Sequence, residues 1–148
     1  MSLEQEVEIL EKLAVFTTVM DLACVDGKKK LKKHKIRKGL IIKSKWVDKI
    51  LDGSKTWEIR GSNTKTRGRI GIIQGASSCV VGMCDLVDSF ELTEEEYKNG
   101  FENHQITDIS EFPYKRVYAW KIANPVRFKT PIPYKHPNGA VIWVNLDK

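Results

Sequence analysis

Four side chains able to do chemistry fall close together in this chain: Lys55, Thr56, Glu58 and Arg60. Strand alternation puts Thr56, Glu58 and Arg60 on one side of an extended segment, with Trp57 and Ile59 on the other. The polar side presents a hydroxyl, a carboxylate and a guanidinium in a row, with Lys55 at its mouth. A carboxylate acceptor beside cationic donors suits a ligand with both kinds of hydrogen-bonding group. A base edge next to a phosphate fits that description better than a bare anion does. Glu58 and Arg60 at i, i+2 also suit a strand that merely pairs with its neighbours. The spacing alone leaves both readings open.

The flanking elements are expected to position this row. Trp46, Val47, Ile50 and Leu51 have helical apolar spacing. Ser44 precedes them as a candidate N-cap, and Gly53 follows as a stop. Residues 61–68 form a polar, basic loop bounded by Gly61 and Gly68, and Arg69 to Ile73 reads as the next strand. The two glycines are expected to let this loop fold over the row, with Lys65, Arg67 and Arg69 at the rim.

This helix–strand–loop–strand unit resembles the ASCH family, whose fold is of the PUA-like type. The family pattern is met by Ile50, Gly53, Lys55, Glu58, Arg60 and Gly68, and the resemblance covers Gly39 to Leu146. It implies a small PUA-like β-barrel and a role in RNA contact. Some members are similar to amidohydrolases that remove an acyl group from a modified cytidine. In those relatives a Thr nucleophile follows the motif Lys three positions on. Lys55 matches that Lys, but Glu58 fills the Thr position, and Thr56 is not equivalent to it. The relatives also use a Glu after the second long strand, a region that here holds Glu94, Glu95 and Glu96.

Composition bounds the other possibilities. The chain has 148 residues, of which 41% are hydrophobic and 30% charged, as expected for a globular domain with a real core. No apolar run is long enough to suggest a membrane span, and no membrane partner is expected. The acidic start, Met1-Ser2-Leu3-Glu4, does not read as a signal peptide. Cys24, Cys79 and Cys84 are odd in number, which suits a reducing compartment. The expected location is cytoplasmic, or nuclear if the source is eukaryotic. Cys79 and Cys84, five apart on one strand, are expected on opposite faces as core residues. His34, His104 and His136 are scattered, and neither a metal site nor a cofactor is expected.

Charge is distributed unevenly around a net +6. Ten Lys or Arg residues lie between Lys28 and Lys45 with no acid among them, whereas Asp85 to Glu111 holds nine acids and a single lysine. Such asymmetry favours an oriented approach to a polyanion, although a charge run is often only a solvated face.

Taken in order, Leu3 to about Leu22 reads as an amphipathic helix. Its stripe is Leu3, Val7, Leu10, Ala14 and Val15, widened by Ile9, Leu13, Phe16 and Met20. Asp26-Gly27 reads as a turn that ends it. The basic segment up to Lys38 reads as an arm, or as a tether docked by Leu31 and Ile36. Strands are expected at Gly39–Ile42, at Cys79–Phe90 with a bulge near Gly82, at Val117–Ile122 and at Ala140–Leu146. Thr93 to Glu96 has capping-box spacing ahead of a short helix that ends at Gly100. Phe101 to Pro113, with His104, is a candidate lid. Asn124-Pro125 reads as a turn. Short strands and few helices give a mixed α+β fold, mainly β, closed as a small barrel. The expected division is residues 1–38, a helix and basic segment, and residues 39–148, the ASCH-like domain.

The leading functional expectation is a nucleic-acid or nucleotide-binding module, with RNA the first candidate ligand. Its binding residues are Lys43, Lys45, Lys55, Thr56, Glu58, Arg60, Lys65, Arg67 and Arg69, with Trp46 or Trp57 as a stacking platform. One alternative is a hydrolase acting on a modified nucleoside or on RNA. Glu58 would then be the general base, with Lys55 and Arg60 stabilising developing negative charge. Another alternative is a protein-interaction domain of a transcription or translation assembly, docking through its N-terminal helix.

Overall fold

A computed structural model describes residues 2–147, with the backbone alone for residues 13–21. The leading element, α1 (Leu3–Lys33), is 31 residues long and opens on a capping box between Ser2 and Gln5. It runs through Asp26-Gly27, where the sequence suggests a turn. The glycine is there for close packing: a Cβ at Gly27 would lie 2.5 Å from the Pro133 carbonyl oxygen. Leu31 and Ile36 are both buried, so the basic segment is docked on the domain through those two residues. The expected stripe residues Leu13, Ala14, Val15, Phe16 and Met20 lie outside the described side chains.

Six strands follow: β1 (Lys38–Ile42), β2 (Trp57–Arg60), β3 (Gly68–Gln74), β4 (Cys79–Leu92), β5 (Val117–Pro133) and β6 (Trp143–Asn145). They form one sheet in the order β2-β5-β4-β3-β1-β6, with β1 parallel to β3 and the other neighbours antiparallel. The mixed α+β reading holds. The sheet, however, has two ends, β2 and β6, where a closed barrel has none. A side chain works across part of that opening, because Arg60 on β2 donates to the Ile41 carbonyl oxygen on β1 at 2.8 Å.

Bulges explain where strand reading from sequence fails. A register shift falls beside Gly82, as expected: Gly82 and Val80 on β4 face the adjacent residues Ile72 and Ile73 on β3, which leaves Val81 extra. The extra residue resets the strand phase, so Cys79 and Cys84 pack against the same core cluster rather than on opposite faces. A further shift, between Met83 and Asp85, lies opposite Asn124-Pro125. The missing Pro125 N–H is thus accommodated within a continuous β5 instead of forcing a turn. The final strand is only Trp143–Asn145, shorter than expected.

Three core clusters fix the helices. Helix α2 (Ser44–Leu51) buries Val47, Ile50 and Leu51 on one face of the sheet with Leu40, Ile72 and Trp120. Its N-cap is Lys43, without a side-chain cap bond, and Ser44 is the first helical residue. Leu31 and Ile36 join Ile73, Val80, Ile132 and Leu146 in a second cluster. Helix α3 (Glu94–Asn99) has the expected Thr93–Glu96 capping box and sets Tyr97 beside Ile59, Leu92 and Val117 in the third. A one-turn α4 (Phe101–His104) follows, and the chain then crosses to β5 without regular structure. No described helix is long and apolar enough to cross a membrane.

Candidate functional site

Strand β2 pairs with β5 through Glu58 opposite Trp120 and Arg60 opposite Tyr118. The alternation expected from sequence holds. Trp57 and Ile59 belong to the third cluster, and Trp57 meets Phe90 edge-to-face. Glu58 and Arg60 point the other way, and Arg60 Nη2 donates to Glu58 Oε2 at 3.0 Å. The same guanidinium lies over the Trp120 ring at 5.5 Å, and the Trp120 indole N–H donates to the Ser62 carbonyl oxygen at 2.9 Å. Arg60 is therefore held by a carboxylate, a carbonyl and an aromatic face, a posture its planar fork suits and a lysine could not copy.

Lys55 is not at the mouth of the site but inside it, only 1% exposed. Its ammonium donates to the His104 carbonyl oxygen at 2.5 Å and sits 4.5 Å from the centre of the Trp46 ring. Burial lowers its pKa from 10.5 to about 8; nearby Glu58 opposes this, while Lys49, Arg60 and Lys45 reinforce it. Glu58, 5% exposed, is the buried carboxylate of the site.

His104, part of the candidate lid, is fully buried and structural. Its Nδ1 accepts from the Ile106 N–H at 2.9 Å, so the proton is on Nε2, which donates to the Tyr97 carbonyl oxygen at 2.7 Å. Desolvation lowers its pKa, a shift partly opposed by the Tyr97 carbonyl and increased by Lys55. The neutral ring stacks on Tyr97 with centroids 4.9 Å apart. These bonds fix α4 so that its last carbonyl can receive Lys55.

The segment beyond His104 is the outer wall of a cleft. A cavity of about 540 Å³ lies between α2, β2 and this segment, lined by Trp46, Lys55, Glu58, Ile106, Asp108 and Tyr114 among others. A second hollow of about 230 Å³ takes in Lys43 and Arg60 and shares Lys45, Trp46, Glu58, Ile59 and Tyr114 with the first. The two make one cleft. Tyr114 is exposed and packs on the backbone at Gly61, where a Cβ would come within 2.9 Å of its ring. Trp46 is half-buried, with Lys45, Lys49 and Lys55 all within cation–π range of its ring.

Lys43, Lys45, Lys55, Glu58 and Arg60 thus meet in the cleft, with Trp46 as an aromatic wall. Thr56 does not line it: its hydroxyl donates to Asn103 Oδ1 at 3.1 Å and its N–H to the Asn103 carbonyl. Nor does the basic loop cover it. Asn63 and Thr64 bond to Ser89 on β4, and Arg67 donates to the Thr64 and Thr66 carbonyls and pairs with Asp88. Arg69 donates to the His34 carbonyl, and Lys38 reaches Thr66. Lys65, Arg67 and Arg69 therefore belong to a separate basic face shared with the end of α1. Sequence reasoning missed Tyr114, whose only signal is an exposed aromatic in a long irregular connection. It also missed Asp108 and Glu111, which line the cavity.

The comparisons agree with this architecture. The family model for the ASCH domain matches residues 40–132. The crystal structure of the ASCH protein from Zymomonas mobilis is similar in fold, with 14% identity, a TM-score of 0.55 and coverage of 65% of this chain and 72% of that one. A tyrosine-to-phenylalanine form of that protein matches with 14% identity and a TM-score of 0.55, covering 65% of this chain and 74% of its own. A serine-to-alanine form matches with 13% identity and a TM-score of 0.58, covering 73% of this chain and 86% of its own. The chain has no match among the curated proteins. A sheet flanked by α2 and α3, the Lys55–Glu58–Arg60 motif and a domain match over most of the chain's length lead to one conclusion: this protein belongs to the ASCH domain family.

Proposed function

We propose that the chain is a nucleotide-reading, RNA-binding module, with its recognition pocket in the cleft between α2, β2 and the segment after α4. The observation that carries this reading is the combination of groups in one concave space. Lys55, Glu58 and Arg60 form a polar floor, Lys43 and Lys45 add positive charge, and Trp46 and Tyr114 offer aromatic surface. The size, about 540 Å³ before the adjoining hollow is added, falls in the range of small-ligand pockets. A splayed nucleotide uses all three kinds of wall: a π-face to stack, a base edge to hydrogen-bond, and a phosphate to neutralise. Membership of a family whose PUA-like fold is often linked to RNA binding supports the same reading. The separate face around Lys38, Arg67 and Arg69 extends the path for a phosphate backbone.

One observation favours the hydrolase alternative: a buried lysine with its pKa lowered to about 8 can give and take a proton near neutrality. The rest of that chemistry is poorly placed. Thr56 is engaged with Asn103, and Glu94, Glu95 and Glu96 are exposed, with Glu96 capping α3.

Calorimetric titration with nucleoside monophosphates and a short single-stranded RNA tests the proposal. The parent should bind, and Glu58→Gln and Tyr114→Ala should each weaken binding roughly tenfold, the worth of one good contact. Absence of binding to every nucleotide and RNA offered would end the reading. Turnover of acylated cytidine by the parent, abolished by both Lys55→Ala and Glu58→Gln with binding retained, would make it an enzyme instead.

A further inference from the structure

We propose that the N-terminal half of α1 pairs antiparallel with the C-terminal half of α1 in a second copy of this chain, forming a two-fold dimer. Residues 2–12 are all exposed, among them Leu3, Val7 and Leu10. Their i, i+4, i+7 spacing makes one apolar stripe. Among the described residues none covers it, and a continuous helix of 31 residues, rising about 46 Å, cannot fold back on itself to do so.

Continued along the helix at 100° per residue, the stripe reaches Val25, Lys28 and Lys32. That line is offset from the face that Gly27 and Leu31 bury on the domain. Val25 is exposed, and it forms with Lys28 a ridge between two hollows. One, of about 390 Å³, is also lined by Cys24, Leu31, Tyr134 and Leu146. The other, of about 250 Å³, is also lined by Lys29, Lys32, Ile36 and Leu146. A ridge flanked by hollows receives side chains from a crossing helix, as knobs enter holes.

Charge selects the occupant and its direction. The first part of α1 carries Glu4, Glu6, Glu8 and Glu11, and its one cation there, Lys12, is already paired with Glu8. The last part carries Lys28, Lys29, Lys30, Lys32 and Lys33, and its one acid, Asp26, is paired with Lys30. Parallel pairing would set acids against acids. Antiparallel pairing about the midpoint of residues 3–33 sets the acidic first part of one helix alongside the basic last part of the other, with Glu4 level with Lys32 and Glu8 level with Lys28, twice over because the contact is isologous. The lysine stems cover the apolar stripe while their charges meet the carboxylates. An anionic membrane or a nucleic acid would be repelled by the glutamates, so a second copy is the occupant that the helix itself complements.

Sedimentation velocity of the full chain tests this. At about 100 µM, where a Kd in the low micromolar range leaves mostly dimer, the parent should sediment as a dimer and shift toward monomer at high salt. A Glu4→Lys, Glu8→Lys, Glu11→Lys variant should be monomeric, as should a Lys28→Glu, Lys29→Glu, Lys32→Glu variant. Mixed in equal amounts, the two should form a heterodimer, because each then complements the other. A monomeric parent, or variants that dimerise as well as the parent, would overturn the proposal. A mixture that stays monomeric while circular dichroism shows both variants fully helical would overturn it too. Should either variant fail to fold, the parent's own mass and its response to salt still decide.

Discussion

Lys55 carries its proton at neutral pH inside the protein, and that has a measurable cost. Its pKa falls from 10.5 in the open chain to about 8 in the fold, so between those values the unfolded state binds more protons. Stability attributable to this residue should therefore rise as pH climbs from 8 toward 10.5, by on the order of 3 kcal/mol when complete. Urea unfolding at neutral and alkaline pH, parent against Lys55→Met, isolates the effect; equal pH slopes would refute it. His104 runs the same way at lower pH. Its pKa is lowered below 6.5, so its contribution to stability is lost as pH falls through that value. A second proton would have to sit on Nδ1, against the Ile106 N–H. Exchange of the Ile106 amide, corrected for its intrinsic rate, should quicken as pH is lowered below 6.5. At this scale the sequence disclosed the groups but not their depth. Strand alternation placed Glu58 and Arg60 on one face correctly. It said nothing of the Lys55 bond to His104, because the partner lies forty-nine residues away and is a backbone oxygen. Tyr114 was illegible for a similar reason: no periodicity exists in the segment that carries it.

Helix α1 is the element most at odds with local reading. Asp26-Gly27 has turn chemistry, yet the helix continues because the missing Cβ lets it lie against the Pro133 carbonyl. Propensity would favour alanine at Gly27 by about 1 kcal/mol in a free helix. Here a valine, which cannot avoid the 2.5 Å approach to backbone, should instead destabilise the domain by about 1–3 kcal/mol in denaturant titration. A Gly27→Val protein as stable as the parent would mean that the helix end is not seated as described. Truncation probes the same contact. A chain beginning at Leu22 keeps Leu31 and Ile36 and should retain dispersed amide spectra. One beginning at Gly39 leaves holes beside Ile73 and Leu146, each worth about 2–5 kcal/mol for a buried aliphatic, and should lose that dispersion. The strands were legible wherever alternation was regular, as on β2, and misread where a bulge changed phase. Cys79 and Cys84 came together, and Asn124-Pro125 became an interruption inside β5, for that one reason. The single sheet was harder to foresee as open, because the group spanning from β2 to β1 is the Arg60 side chain, not a ladder.

At the scale of the whole molecule, charge and shape separate into two jobs that salt can tell apart. The floor of the cleft is covered, with Lys55 and Glu58 almost wholly buried and only Lys43 and Lys45 of its lysines exposed at the rim, whereas on the separate face Lys38, Lys65, Arg67 and Arg69 are all exposed. Phosphates on an exposed basic face release counterions when neutralised, and the affinity for single-stranded RNA falls by about 0.7 log unit per log unit of salt for each one. Stacking in the cleft has no such dependence. Fluorescence anisotropy over a range of salt concentrations should thus give two distinct signatures. Changing Lys38 and Arg69 together to alanine should lower the steepness by about 1.4, two phosphates' worth, and narrow its difference from the parent as salt rises. Changing Tyr114 to alanine should weaken binding by a near-constant factor, the loss of about 1–3 kcal/mol of stacking, at every salt concentration. If Tyr114→Ala altered the salt slope and the double alanine change did not, the assignment of phosphate to the face and base to the cleft would be reversed. If neither change moved affinity, RNA would be bound elsewhere on the protein.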